Sequence, residues 1–296
     1  MKPSTTRLEP SFLAILTPKL LLQLVCSLAV MFAALTVDFG FLNGGPFNDS
    51  FLSGPYILKS GVALLLVFYF QRIGCITVFT ASLVHGLAVL GHELSPDYFV
   101  FVLINSTVLV AQSFVIYRSF ASSVSKGNPL KSSRTLIFYV SICAITSAMT
   151  TLLVAINFSS AIPGNDLHID SFLTSFLVNL TSLMVIPTLV FAFENHSNRI
   201  PQYTHPLEWF VWFSATILAG YFSNREQYSF IIFAIPLLMW VSTRFNQLTC
   251  SFSLVLSTAL LTQDFQSLHL SQSFSGLPYY TTHAAWLTLV LTSLYF

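Results

Sequence analysis

The segment Phe233–Gln247, FAIPLLMWVSTRFNQ, combines an apolar run, an interior proline, a tryptophan one turn later and an arginine near its end. In a soluble helix an interior proline removes a backbone hydrogen bond and costs about 3 kcal/mol. The chain is 54% hydrophobic and only 8% charged, whereas soluble domains carry roughly 25% charged residues. The segment is therefore predicted to cross a membrane, with Pro236 inside the span, Trp240 near the inner boundary and Arg244 at the cytoplasmic exit.

The same composition extends along all 296 residues. The apolar runs are continuous, whereas a membrane β-barrel would alternate apolar and polar residues, so the fold class is all-α: a polytopic transmembrane helical bundle. Runs of about 20 apolar residues predict ten helices, at about 18–37, 55–71, 73–91, 98–117, 135–157, 171–193, 206–222, 227–244, 247–263 and 279–296. The connections are short, so residues 1–296 are predicted to form a single membrane domain without a soluble output domain.

Charge placement predicts the orientation of these ten spans. With both termini in the cytoplasm, ten of the twelve basic residues fall on the cytoplasmic side: Lys2, Arg7, Lys19, Arg72, Arg118, Lys126, Lys131, Arg134, Arg199 and Arg244. Eight of the eleven acidic residues fall outside: Asp38, Asp49, Glu93, Asp97, Asp166, Asp170, Glu226 and Asp264. Orientation follows the Lys/Arg bias of short loops, so the pattern indicates a multi-pass membrane protein with both termini in the cytoplasm.

Lys59 is the only acidic or basic residue predicted to lie within a span. A charge inside a membrane costs about 2.5–3.5 kcal/mol on insertion scales, and by default it suggests function. The alternative is that Lys59, about one turn into its helix, extends its ammonium to the outer headgroups. His85 and His283 are the two intramembrane histidines. Each is a candidate ligand, proton relay or hydrogen-bonding core group, although neither has a carboxylate at helical spacing.

Two spans carry an interior proline in similar strings, VIPTL at Pro187 and AIPLL at Pro236. A membrane helix tolerates proline where neighbouring groups satisfy the carbonyl that loses its donor. The paired prolines therefore mark either a moving element around a polar cleft or static kinks that shape packing. Asn179, in the same predicted span as Pro187, is a candidate for ligand binding or for holding helices together.

Several classes of function lack the required residues. The sequence has no GxxxxGK[ST] loop and no GxGxxG turn for nucleotide phosphates, and a net charge of +1 gives no electrostatic basis for binding nucleic acid. No nucleophile, base and orienting group stand together, so we expect no catalytic residues and no enzymatic activity. The four cysteines lie far apart in apolar runs, so no metal site and no cofactor is predicted.

The last third of the chain resembles a known family. The segment Tyr228–Phe265 is similar to the closing part of the bacterial membrane-associated sensor domain of the first type, in which a P-L-L-x-W-x-x-x-R-F-G helix precedes a span rich in small residues. The matching residues are Pro236, Leu237, Leu238, Trp240, Arg244 and Phe245. Phe172–Phe193 resembles the family's span that ends in a proline, here Pro187, and Gly61–Gly74 resembles its second helix.

The chain departs from the family pattern at three places. Asn246 stands where the family has glycine, and Pro55 and Gly61 lie too far apart for its Pro-x-x-Gly motif. The span with Pro187 lacks the family's tryptophan pair and acidic residue, since Phe176 and Asn179 occupy this region. The ligand of the family is therefore not transferred to this chain.

The resemblance implies an input module of the bacterial cytoplasmic (inner) membrane that precedes a histidine kinase, diguanylate cyclase or phosphodiesterase domain. We therefore expect a sensory module that contacts membrane lipid, binds a small molecule or a membrane partner, and relays to a cytoplasmic signalling kinase or cyclase, or to a transporter. Two alternatives stay open. Ten helices divide into five plus five, which suits a secondary transporter of a small solute, and the absence of soluble domains suits a non-catalytic subunit of a membrane complex.

Overall fold

The structure is a computed structural model that describes residues 18–43, 58–89, 96–123, 132–161, 169–196, 206–226, 231–246 and 248–258. Within these ranges the chain forms nine helices and no strand. They are α1 (Pro18–Asn43), α2 (Lys59–Phe70), α3 (Arg72–Val89), α4 (Pro96–Ser123), α5 (Ser133–Ala161), α6 (Ile169–His196), α7 (Pro206–Glu226), α8 (Ile231–Arg244) and α9 (Leu248–Thr258). Each helix coincides with one predicted span, and the tenth span, 279–296, lies outside the described residues.

Among the described residues, three helices are long and apolar enough to cross a membrane: Pro96–Phe120 in α4, Arg134–Asn157 in α5 and Ser175–Ala192 in α6. The apolar parts of α1, α2, α3 and α9 are shorter than a span. The helices α7 and α8 belong neither to the candidate spans nor to the shorter apolar helices. The all-helical fold class is therefore confirmed for the described residues. The count of ten spans and their orientation stay predictions.

A one-residue turn joins α2 to α3. Gln71 has φ 50° and ψ −113°, a backbone conformation that favours glycine, and its N–H bonds to the Val67 carbonyl at 2.9 Å. Gly74 is required just after the turn, because a Cβ there would overlap the Leu66 carbonyl. The two helices therefore run antiparallel and in close contact.

The following helices are also antiparallel. Late α3 lies against early α4, where a Cβ on Gly86 would stand 2.6 Å from Val102 Cγ1. Late α5 also lies against early α4, as the hydrogen bond from Asn157 Nδ2 to the Phe101 carbonyl at 3.1 Å shows. At the other end the rings of Phe120 and Tyr139 meet edge to face, 6.0 Å apart.

This arrangement gathers three arginines at one end of the bundle. Arg72 begins α3, Arg118 lies near the end of α4 and Arg134 lies near the start of α5, and all three are exposed. We call this the arginine end. The opposite end holds the end of α3, the start of α4 and the end of α5.

The centre of the bundle is α6. In α6, 67% of the residues of the apolar window Ser175–Ala192 are buried, against 39% for α4 and 22% for α5. It packs directly on α2 and α5, and its buried side chains share one hydrophobic cluster with residues of α7, α8 and α9. A smaller cluster joins α1, α2, α3 and α4. The α6 helix therefore contacts α2 directly, and this contact positions the candidate site.

Candidate functional site at the start of α2

The first turn of α2 begins inside the bundle. The helix has 12 residues, so Lys59 lies about 18 Å along its axis from the turn at Gln71. The neighbouring α4 has 28 residues, about 42 Å, and near its end the Tyr117 ring packs edge-on against Phe68 of α2, 5.7 Å away. The start of α2 therefore lies beside the middle of α4. The sequence predicted a span from about residue 55 with Lys59 one turn inside it, whereas the helix begins at Lys59.

The α6 helix supplies the first turn of α2 with a hydrogen-bond acceptor. The first N–H groups of a helix have no partner within the helix, and Leu58, which precedes α2, makes no side-chain cap. The Gly61 N–H donates to Ser182 Oγ at 2.9 Å, and both residues are buried. A Cβ on Gly61 would stand 2.5 Å from the Ser182 carbonyl oxygen, so the bond depends on glycine.

Two of the predicted site residues lie near each other at this position. Lys59 is the first residue of α2, and His85 lies near the end of the antiparallel α3. The Lys59 ammonium lies within electrostatic range of the His85 imidazole, and both residues are partly buried. A cation and a titratable donor or acceptor therefore stand on neighbouring helices where α2 begins.

Asn179 lies on the α6 face that meets α2. It precedes Ser182 by three residues, about one helical turn, and α2 and α6 run parallel, since Phe68 also packs on Phe191 near the arginine end, with 5.2 Å between ring centroids. Asn179 therefore lies on the side where α2 begins. Its Oδ1 atom is buried and makes no hydrogen bond to the residues that the structure describes. Buried amide oxygens normally accept a hydrogen bond. Asn179 Oδ1 is therefore the candidate acceptor for a hydrogen-bond donor on a ligand.

The proline of α6 lies in the next turns toward the arginine end. Pro187 is buried and has no N–H, so the Leu183 carbonyl four residues earlier loses its intrahelical donor. The Tyr139 hydroxyl of α5 donates to this carbonyl at 2.6 Å. Thr188 Oγ1 donates to the carbonyls of Met184 and Val185, at 2.5 and 3.0 Å. The Tyr139 hydroxyl of α5 therefore supplies the donor that Pro187 removes from Leu183.

The proline of α8 has different surroundings. Pro236 is exposed, and the carbonyl that loses its donor there belongs to Ile232, four residues earlier. The nearby cross-helix bond, from Trp212 Nε1 of α7 at 3.2 Å, reaches the Leu237 carbonyl instead. Trp240 is partly buried against the cluster around α6, and Arg244 ends α8 as an exposed residue.

The eight residues predicted from the sequence thus fall into separate groups. Lys59 and His85 lie within electrostatic range of each other at the start of α2, and Asn179 and Pro187 lie on α6, which packs against α2. The α8 residues Pro236, Trp240 and Arg244 lie on another helix, and no contact with the group at α2 is shown. His283 lies outside the described residues, where its predicted role is untested.

Tyr139, Ser182 and Trp212 were not among the site residues predicted from the sequence. A general signal existed for Tyr139, because a proline inside a membrane helix needs a hydrogen-bond donor from a neighbour. The sequence could not say which of the many hydroxyl-bearing residues supplies it. Among the described residues no three His, Cys, Asp or Glu side chains form a group that could hold a metal ion.

The sequence matches no family model, no curated protein and no solved structure. The resemblance to the bacterial sensor domain therefore depends on the matching residues of α6 and α8 and on the order of the apolar segments. It enters the functional argument only as a proposal.

Proposed function

We propose that this chain is a membrane-embedded input module of bacterial signal transduction, which binds a small molecule and relays to a cytoplasmic signalling protein. The observation that carries the proposal is the start of α2 inside the bundle, where Lys59 lies within electrostatic range of His85 and the adjacent α6 carries the buried Asn179 Oδ1. Polar groups gathered within an apolar helical bundle are expensive, and such groups mark function by default.

The surface of the bundle supports a membrane location. Beside the three helices that are long enough to span, α5 exposes a row of large apolar side chains: Ile137, Phe138, Ile145, Met149, Leu152, Leu153 and Ile156. Water would make this surface an aggregation hazard, whereas lipid tails solvate it. This surface supports the proposal that the chain is a multi-pass protein of the bacterial cytoplasmic membrane; the ten helices are part of the same proposal.

The arginine end supports the proposed orientation. Arg72, Arg118 and Arg134 lie together, and short loops rich in Lys and Arg face the cytoplasm. With the turn at Gln71 on the cytoplasmic boundary, Lys59 lies about 18 Å into a hydrocarbon core of about 30 Å. About 12 Å then separates its α-carbon from the outer boundary, which exceeds the reach of a lysine side chain and disfavours extension of the ammonium to the outer headgroups.

The chemistry of the group selects a class of ligand. The N-terminus of a helix carries partial positive charge and attracts anions, and the Lys59 ammonium adds a full charge. Asn179 Oδ1 offers an acceptor beside these donors. A small molecule that bears an anionic group, such as a carboxylate or phosphate, and a hydrogen-bond donor fits the arrangement.

A chimera tests the proposed function. The chain is fused at its C-terminus to a diguanylate cyclase domain, and the cyclic dinucleotide product is measured with inorganic phosphate, acetate or succinate added outside. We expect one of these probes to change the product level, and Lys59→Gln to abolish the change. Arg118→Gln, at the exposed arginine end, is the matched charge control and should retain the response. Failure of every probe, or an equal response from the Lys59 variant, would contradict the proposal.

A second candidate function is secondary transport of a small anionic solute. The short α2, which begins in the middle of the bundle, is the observation that favours it, because transporters bind anionic substrates at the N-termini of discontinuous helices. Uptake of a labelled carboxylate or phosphate into proteoliposomes, abolished by Lys59→Ala, would favour transport over sensing. Binding without uptake would favour the sensor.

A further inference from the structure

We infer that Tyr139 and Pro187 form a cross-helix latch that ties α5 to α6, and that the Tyr139 hydroxyl replaces the N–H that proline lacks. The donor is on α5 and the carbonyl is on α6, so one hydrogen bond of 2.6 Å joins the two helices where Pro187 removes a backbone donor from α6. A role of the latch in signalling rests on the proposed function, whereas the latch itself does not.

Burial makes this bond more than an ordinary contact. Tyr139 is 2% exposed, and Leu183, Met184 and Val185 are each 0% exposed. Without the hydroxyl, the Leu183 carbonyl would have neither the intrahelical donor nor water, and a buried polar group without a partner is costly. Removal of the hydroxyl would therefore leave the Leu183 carbonyl without any hydrogen-bond donor, because Pro187 has no N–H to donate to it.

The surroundings hold the tyrosine ring in one position. The ring meets Phe120 of α4 and Phe191 of α6 edge to face, at centroid distances of 6.0 and 6.3 Å. The phenol is thus fixed between three helices, which limits the carbonyls that it can reach.

The latch lies between the candidate ligand site and the arginine end. Ser182, which accepts the hydrogen bond of the first turn of α2, directly precedes Leu183. Asn179 lies one turn before it, and Pro187 one turn after. A ligand that shifts the first turn of α2 against Ser182 would therefore act on the residue adjacent to the latched carbonyl. The latched segment of α6 is the element through which such a shift would reach the arginine end.

A double-mutant cycle tests the latch without any ligand. Tyr139→Phe keeps the ring and removes the hydroxyl, and Pro187→Ala returns an N–H to the Leu183 carbonyl. We expect Tyr139→Phe to raise the unfolding equilibrium constant in detergent micelles about tenfold when Pro187 is present. In the Pro187→Ala background the same change should have at most about a twofold effect, because the carbonyl again has its helical donor.

The control is Tyr117→Phe on α4, whose ring also packs edge-on against Phe68 and whose hydroxyl makes no hydrogen bond to the Leu183 carbonyl. It should change the unfolding constant equally in both backgrounds. Equal effects of Tyr139→Phe in the two backgrounds would overturn the latch, since they would show that the hydroxyl does not serve the carbonyl freed by proline. If Pro187→Ala does not fold, Pro187→Gly, which also restores the N–H, replaces it in the cycle.

The same variants in the cyclase chimera separate the latch from the proposed function. A shifted basal output in Tyr139→Phe, with strong coupling to Pro187, supports both. Strong coupling with an unchanged output supports the latch and contradicts its role in signalling. Absent coupling overturns the latch even if the chimera responds to a ligand.

Discussion

The two prolines of α6 and α8 stand in similar strings but in different physical settings. Pro187 is buried at the centre of the bundle, and the Tyr139 hydroxyl of α5 donates to the Leu183 carbonyl that the proline frees. Pro236 is exposed on α8, and the bond from Trp212 reaches a different carbonyl. The comparison teaches that a proline motif alone does not identify a moving element. The neighbours of the freed carbonyl decide whether the break is coupled to another helix.

The largest expected effect on stability comes from a substitution at Gly61, where α2 contacts α6. Gly61→Ala would place a Cβ 2.5 Å from the Ser182 carbonyl oxygen and 2.7 Å from Ile186 Cβ. We expect it to lower the free energy of unfolding by about 1–3 kcal/mol, because a packed backbone cannot retreat. Equilibrium unfolding in mixed micelles measures this change.

Gly86→Ala is the matched control for Gly61→Ala. Both substitutions place alanine within a helix, and both gain similar helix propensity. At Gly86 the obstacle is Val102 Cγ1 at 2.6 Å, a side-chain methyl group that can move. The Gly86 variant should therefore be clearly more stable than the Gly61 variant. Equal stabilities would mean that the α2–α6 contact is no tighter than the α3–α4 contact, and that α6 is not held as described.

A smaller effect is expected at α8, where a second double-mutant cycle mirrors the one at α6. Trp212→Phe removes the bond to the Leu237 carbonyl, which keeps its own helical donor. The variant should lose roughly 1 kcal/mol of stability, the usual net value of a hydrogen bond, together with a modest packing loss. The loss should be the same with Pro236 or with alanine at this position, since Trp212 does not serve the carbonyl that Pro236 frees. Non-additive losses of stability would show that Trp212 does act on the carbonyl that Pro236 frees, and the two prolines would then not differ in this respect.

The smallest effect is expected from Pro236→Ala alone. The residue is exposed, and the substitution returns an N–H to the Ile232 carbonyl. We expect normal membrane insertion and a stability change within about 0.5 kcal/mol, as for most surface substitutions. Expression level and unfolding midpoint measure both properties. A large loss of stability would show that the fold depends on Pro236 in α8 as much as on Pro187 in α6.

The helices could be predicted from the sequence because apolar runs of membrane length are a strong and local signal. Nine predicted spans coincide with described helices, and Lys59, His85 and Pro187 were recognised by residue type and position. Their grouping could not be predicted, since it depends on which helices pack together and on where α2 begins. Tyr139 lies in an apolar run with no distinguishing neighbour, so only the three-dimensional contact with Leu183 reveals it.

The central claim is a membrane bundle with the arginine end in the cytoplasm and Lys59 deep inside the core. Gln71 is exposed in the turn beside Arg72, so Gln71→Cys, in a variant with the four native cysteines replaced by serine or alanine, tests this claim most directly. We predict that a membrane-impermeant maleimide labels the introduced cysteine in inverted vesicles and fails to label it in intact cells. Labelling in intact cells, or equal labelling in both preparations, would contradict the orientation and with it the proposed path from an outer ligand to a cytoplasmic partner.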